Sequence, residues 1–162
     1  MKKKLWLTTF IAIFLFGTVP FNCVDAQENP AIKKEVIVQG TTSWKEVGIK
    51  IKPTDKVVIT ASGKVYFEPS GSQSGVDPNG WPRNTYKTAW PENWNFCDDP
   101  YPEFGHAALM GKIGENSFLV GQNKTITGLK GVLGLGINDC TLTGQYSNSG
   151  QFKVLIKVYR KK

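Results

Sequence analysis

The chain has 162 residues, of which 40% are hydrophobic and 20% charged, and its formal net charge is +7. The positive balance is spread along the sequence, with no dense Lys/Arg block and no aromatic RNA-binding signature, so nucleic acid is excluded as the expected partner.

In chain order, the first segment predicts export. Met1-Lys2-Lys3-Lys4 is a positive start, LWLTTFIAIFLFG is an apolar run, and Val24-Asp25-Ala26 is a cleavage site of small or compact residues. Residues 1–26 thus read as a secretory signal peptide, with an apolar run short for a membrane span. The expected location is secreted, periplasmic or extracellular, with no stable membrane insertion. A lipid on Cys23 is the minor alternative, because Phe21-Asn22 before it makes a poor lipobox. Removal of residues 1–26 takes away Lys2, Lys3, Lys4 and Asp25, leaving 17 basic and 12 acidic residues and a net charge of +5.

Residues 27–35 are mostly polar, carry no period and read as a tether. Residues 36–162 read as one domain, long enough to bury about two-thirds of its unfolded surface. Its short segments rich in Val, Ile, Thr and aromatics are VIVQ, WKEVGIKI, KVVITASG, KVYF, AALMGKI, SFLV, KTITG, GVLGLGI and GQFKVLIKVY. Gly, Pro, Asn and Asp separate them. Alternation is clearest from Gln151 to Val158 and from Val47 to Ile51, and it gives each strand one core face and one wet face. No helical period is sustained. The predicted fold is all-β: an antiparallel β-sandwich of the jelly-roll type.

One stretch breaks this rhythm. From Pro69 to Gly105 the chain is rich in Pro and Gly without alternation, yet it holds Trp81, Trp90, Trp94, Phe96 and Tyr101. Such aromatic density predicts an ordered long loop at one end of the sandwich. Its rings either pin the loop to the scaffold or offer a flat apolar face to a ligand. Cys97 and Cys140 remain after signal removal. In an exported protein they permit one disulfide, worth about 4 kcal/mol in the chain-entropy account; two unpaired thiols are the alternative.

Catalysis is not expected. His106 is the sole histidine, and a structural role suits it better than a triad whose partners sequence order does not supply. One His with two distant Cys lacks zinc-ligand spacing. Asp98, Asp99 and Glu103 cluster in one loop, whereas a glycosidase needs carboxylates facing each other across a sugar.

Calcium chemistry fits better, since it takes oxygens from carboxylates, amides, hydroxyls and backbone carbonyls. Asn138, Asp139, Thr141, Thr143, Gln145, Ser147, Asn148 and Ser149 lie between two strand patterns, a loop too long for a two-residue hairpin. The same residue types also build ordinary turns, and both readings stand at this point.

The ordered series Trp44-Lys45, Pro53 to Gly63, the long Pro/Gly loop, Ala108 to Gly114, Ile137-Asn138-Asp139 and Asn148 to Val154 resembles the PA-IL-like galactophilic lectin family. The likeness extends to the galactose-binding-like jelly-roll domains more broadly. It implies a non-enzymatic carbohydrate-binding protein, with Ca2+ as cofactor and galactosides or other glycoconjugates as partners. Implied metal ligands are Asp139 and Asn148, Ser147 where the family has the first Asn of a pair, and backbone carbonyls near Thr143 and at Phe67. The implied sugar-binding residues are Asp139, Cys140, Thr143 and Ser147; beside such a site Trp81, Trp90 or Trp94 would give an apolar platform and Asp98, Asp99 or Glu103 the hydroxyl acceptors. A Cys97–Cys140 bond would then tie the long loop to the metal loop. A homo-oligomer is compatible with this class. The rival reading on the same fold is an interaction or structural module without metal or sugar.

Overall fold

Alternation in the sequence becomes the two faces of a sheet. The computed structural model describes residues 29–66, 75–82, 99–139 and 148–160. The strands are β1 (Ile32–Gln39), β2 (Lys45–Ile51), β3 (Lys56–Tyr66), β4 (Ala108–Ile113), β5 (Asn116–Leu119), β6 (Asn123–Ile126), β7 (Gly131–Asn138) and β8 (Ser149–Tyr159). One sheet has the order β1-β8-β3-β6 and the other β2-β7-β4-β5. The neighbours β1–β8, β2–β7, β3–β6 and β4–β5 are all antiparallel, the pairing that results when one long hairpin ribbon wraps into a jelly roll. The sandwich expected from the strand pattern is therefore the fold observed.

The core lies between the sheets. Val38, Phe152, Ile156, Val57 and Ile59 come from one layer and meet Ile49, Leu133, Leu135, Ile137 and Leu109 from the other. In β8 the inward residues Phe152, Val154, Ile156 and Val158 are all buried and every second residue faces out. Burial of such side chains contributes about 1.5–3 kcal/mol each. No helix among the described residues is long and apolar enough to cross a membrane.

Two strand limits differ from the sequence expectation. β1 begins at Ile32, ahead of Val36, because Lys33, Lys34 and Glu35 pair with Lys157, Ile156 and Leu155 of β8 despite their charge. KVVITASG and the following Lys64-Val65-Tyr66 form one strand, because Gly63 adopts φ 107 and stays in register with Phe152. A Cβ there would meet the Gln151 carbonyl oxygen at 2.5 Å, so glycine keeps the strand continuous.

The repeated glycines of β7 also have a packing cause. Leu133, Leu135 and Ile137 are buried in the core cluster, which leaves Gly134 and Gly136 on the opposite face. A Cβ on Gly136 would run into the Ser43 carbonyl and the Trp44 ring. Trp44 covers this face, with Lys112 Nζ 4.7 Å from its ring centroid and Tyr101 edge-on at 6.5 Å.

At one end of the sandwich, Asp55 is buried at 2% exposure. It accepts a hydrogen bond from the Lys52 amide at 3.0 Å and pairs with Arg160 Nε at 3.5 Å. Arg160 also donates to the Lys50 carbonyl at 3.1 Å. Truncation of Arg160 to alanine strips a buried carboxylate of its counter-ion and is expected to cost about 1–3 kcal/mol. Urea denaturation of the two proteins measures this directly.

The flank where β1 and β2 lie edge by edge is bridged by two lysines. Lys34 Nζ donates to the Val47 carbonyl at 2.6 Å, and Lys45 Nζ to the Ile37 carbonyl at 3.4 Å. Between Glu46 and Lys50 the β2 register shifts, with Gly48 at φ 72 in the irregularity.

Candidate functional site

The other end of the sandwich gathers the polar groups. β7 delivers Asn138 and Asp139 there, the start of β8 follows Asn148, and Gly40 closes β1. Asn138, Asp139 and Asn148 are all buried. Buried polar groups of this density need partners, and each partner defines part of the site.

Asn138 organises the segment before β4. Its Nδ2 donates to the carbonyls of Tyr101 (3.0 Å) and Gly105 (3.1 Å), and its Oδ1 accepts from the Tyr101 amide (3.1 Å). Tyr101 stacks on Phe104 at 5.6 Å. The chain then turns through Ala107 at φ 57, the sole positive-φ non-glycine residue among those described. His106 precedes that turn and pairs backbone to backbone with Trp81 (2.8 and 2.9 Å).

His106 thereby stands between two carboxylates. Nδ1 lies 2.9 Å from Asp99 Oδ1, and Nε2 lies 3.8 Å from Asp139 Oδ1. Burial pulls the imidazole pKa down, but the Asp99 hydrogen bond and the charges of Asp139 and Asp99 outweigh it, leaving the pKa above the usual 6.5. A raised folded pKa makes its contribution to stability complete below about 6.5 and removes it as pH rises through the folded value. In chelator, the melting temperature is expected to fall over that interval, and His106→Gln to flatten the profile.

Asp139 has a second partner. Asn148 Nδ2 donates to Asp139 Oδ2 at 2.6 Å and to the Gly40 carbonyl at 3.1 Å. Asn148 Oδ1 is buried and has no hydrogen-bond partner among the described residues, an acceptor whose desolvation costs about 1–3 kcal/mol unless something meets it. Carboxylate, amide and backbone oxygens are the donor set a hard cation takes, so these residues fit calcium. One ligand atom each of Asp99, His106 and Asp139 also lies within 4.8 Å of the others, a mixed nitrogen and oxygen set.

Of the residues singled out in the sequence, Asp139 and Asn148 meet directly. Trp81 is half-buried and adjoins the site through its pairing with His106. It lines an open recess of about 470 Å³ with Val76, Asp77, Asn79, Gly80 and Pro82. Glu103 is exposed on the turn before Phe104. Phe67, Trp94, Cys97, Cys140, Thr143 and Ser147 lie outside the described residues. Sequence reasoning treated His106 as structural and Asp99 only as one of several loop acids. Their meeting with Asp139 depends on the Asn138 anchor and the Ala107 turn, neither of which leaves a local pattern.

Comparison with known proteins agrees with this architecture. No protein-family model matches the chain, and no curated protein matches it in sequence. Among solved structures, the N-terminal domain of EclA, described as a PllA-like lectin, matches with a TM-score of 0.53 at 20% identity. The match covers 78% of this chain and 95% of that one. At that identity the likeness shows the fold: both chains share an antiparallel β-sandwich.

Proposed function

We propose that the protein is an exported, non-enzymatic glycan-binding protein whose site is the Asp139–Asn148 end of the sandwich and whose binding depends on calcium. The observation that carries this reading is the pairing of Asp139 with Asn148 between the end of β7 and the start of β8, with Asn148 Oδ1 buried and unmet among the described residues. Asp139, Asn148 and the Gly40 carbonyl would hold the ion, which would orient vicinal hydroxyls of a sugar. Trp81 and Asp99 border the same site and suit the apolar and hydrogen-bonding contacts of a sugar ring. The lectin description of the EclA domain supports the class, and the sequence resemblance makes galactosides the first ligands to test. Export follows from the signal-like residues 1–26, and an N-terminus at Gln27 in the purified protein would bear it out.

The His106 contact favours a second reading. Asp139 already has an imidazole and an amide beside it, so the cluster can be neutralised internally, as in a metal-free interaction module. Calcium titration by calorimetry, followed by a glycan array with and without EDTA, separates the two. Calcium-dependent retention of galactosides supports the lectin. No heat with calcium and no glycan bound in either condition leaves the module.

A further inference from the structure

The outer face of the β1-β8-β3 sheet carries a charge arrangement that the loop-end site does not use. Strand register sets Lys33, Lys153, Lys157, Lys56 and Lys64 on this face, with Glu35 as the one carboxylate among them. Lys33 sits directly opposite Lys157. Like charges placed opposite each other on neighbouring strands destabilise a sheet, and no described ion pair relieves these lysines. Lys56 instead lies over the Tyr159 ring at 5.5 Å. Fold stability alone does not select such a face.

Among the lysines lies an open recess of about 460 Å³, lined by Ile37, Leu155, Thr60, Ser62, Glu35 and Lys153. It combines an aliphatic surface with hydroxyl groups, one carboxylate and a bordering cation. We infer that this sheet face is a second binding surface, for an acidic polysaccharide bearing repeated sulfate or carboxylate groups. The aliphatic and hydroxyl lining suits a sugar ring, and the lysines suit its anionic substituents. Lys153 and Lys157 are about 13 Å apart along β8, and cross-strand neighbours are about 5 Å apart, so a linear polymer meets several cations at once. A second copy of the chain would set like charge against like. Stacked nucleobases need several bare aromatic faces; Lys56 covers the Tyr159 ring, which leaves Tyr66 as the one exposed ring on these three strands.

The test is binding of dextran sulfate, against neutral dextran, in EDTA at 50 and 200 mM NaCl. Chelator keeps the outcome separate from the calcium reading. Dextran sulfate alone is expected to bind, more weakly at the higher salt. Combined K33E, K153E and K157E is expected to lower affinity at least about tenfold at 50 mM, while K50E, K52E and K130E, equal in charge but away from this face, has much less effect. K33Q by itself is expected to raise the melting temperature by about 1–2 °C, since it removes the repulsion with Lys157 without setting a carboxylate beside Glu35, while weakening binding. Loss of binding together with a gain in stability separates a ligand surface from a structural one. Equal losses in both triple variants, absence of binding at 50 mM, or preference for single-stranded DNA or anionic vesicles over dextran sulfate overturns the inference.

Discussion

Asp139→Ala is expected to abolish calcium stabilisation. If calcium binds as proposed, free calcium a thousandfold above the dissociation constant is expected to stabilise the wild-type protein by about 4 kcal/mol, which for a domain of this size raises the melting temperature on the order of 15 °C. Asp139 supplies the sole carboxylate in contact with Asn148 among the described residues. Its removal is expected to weaken calcium binding by more than about 100-fold, since even outer partners of metal ligands cost 10- to 100-fold. Thermal melts of both proteins in EDTA and in calcium measure the difference. An unchanged calcium response in the variant would remove Asp139 from the metal site. The EDTA arm matters independently, because loss of Asp139 also deprives His106 and Asn148 of a partner.

The second large effect lies in the core. Phe152 is fully buried in β8, opposite Val38 of β1 and Gly63 of β3. Phe152→Ala removes most of an aromatic side chain between two rigid sheets and leaves a void the backbone cannot close. The expected loss is about 3–5 kcal/mol, a large share of the stability of a single domain. Urea denaturation should show a lower midpoint with an unchanged slope. A change below 1 kcal/mol would mean that the layers collapse onto the gap.

The strands were legible because burial on one face imposes a period of two, which Gln151 to Val158 displays almost without interruption. The ends of strands were less legible. Lys33 to Glu35 look like tether by composition, yet their backbone finds partners in β8. Gly63 looks like a break, but its freedom in φ lets β3 pass through. The site divides in the same way. Asp139 and Asn148 stand just after β7 and just before β8, consecutive strands of opposite sheets, so their proximity follows from the two sheets ending together at this end of the sandwich. Asp99 and His106 reach Asp139 only because Asn138 pins the preceding segment with three hydrogen bonds. Contacts of that kind are set by tertiary folding, and local sequence carries no mark of them.

The lysine bridges between β1 and β2 bear on how the protein behaves at high concentration. These two strands end their respective sheets on one flank, where exposed peptide groups would otherwise template strand addition from another molecule. Lys34 and Lys45 occupy carbonyls there with charged ammonium groups, and the irregularity at Gly48 bends β2 away from the flat form that stacking requires. An incoming chain would have to displace a cation before its first backbone hydrogen bond, so that flank resists fibre growth.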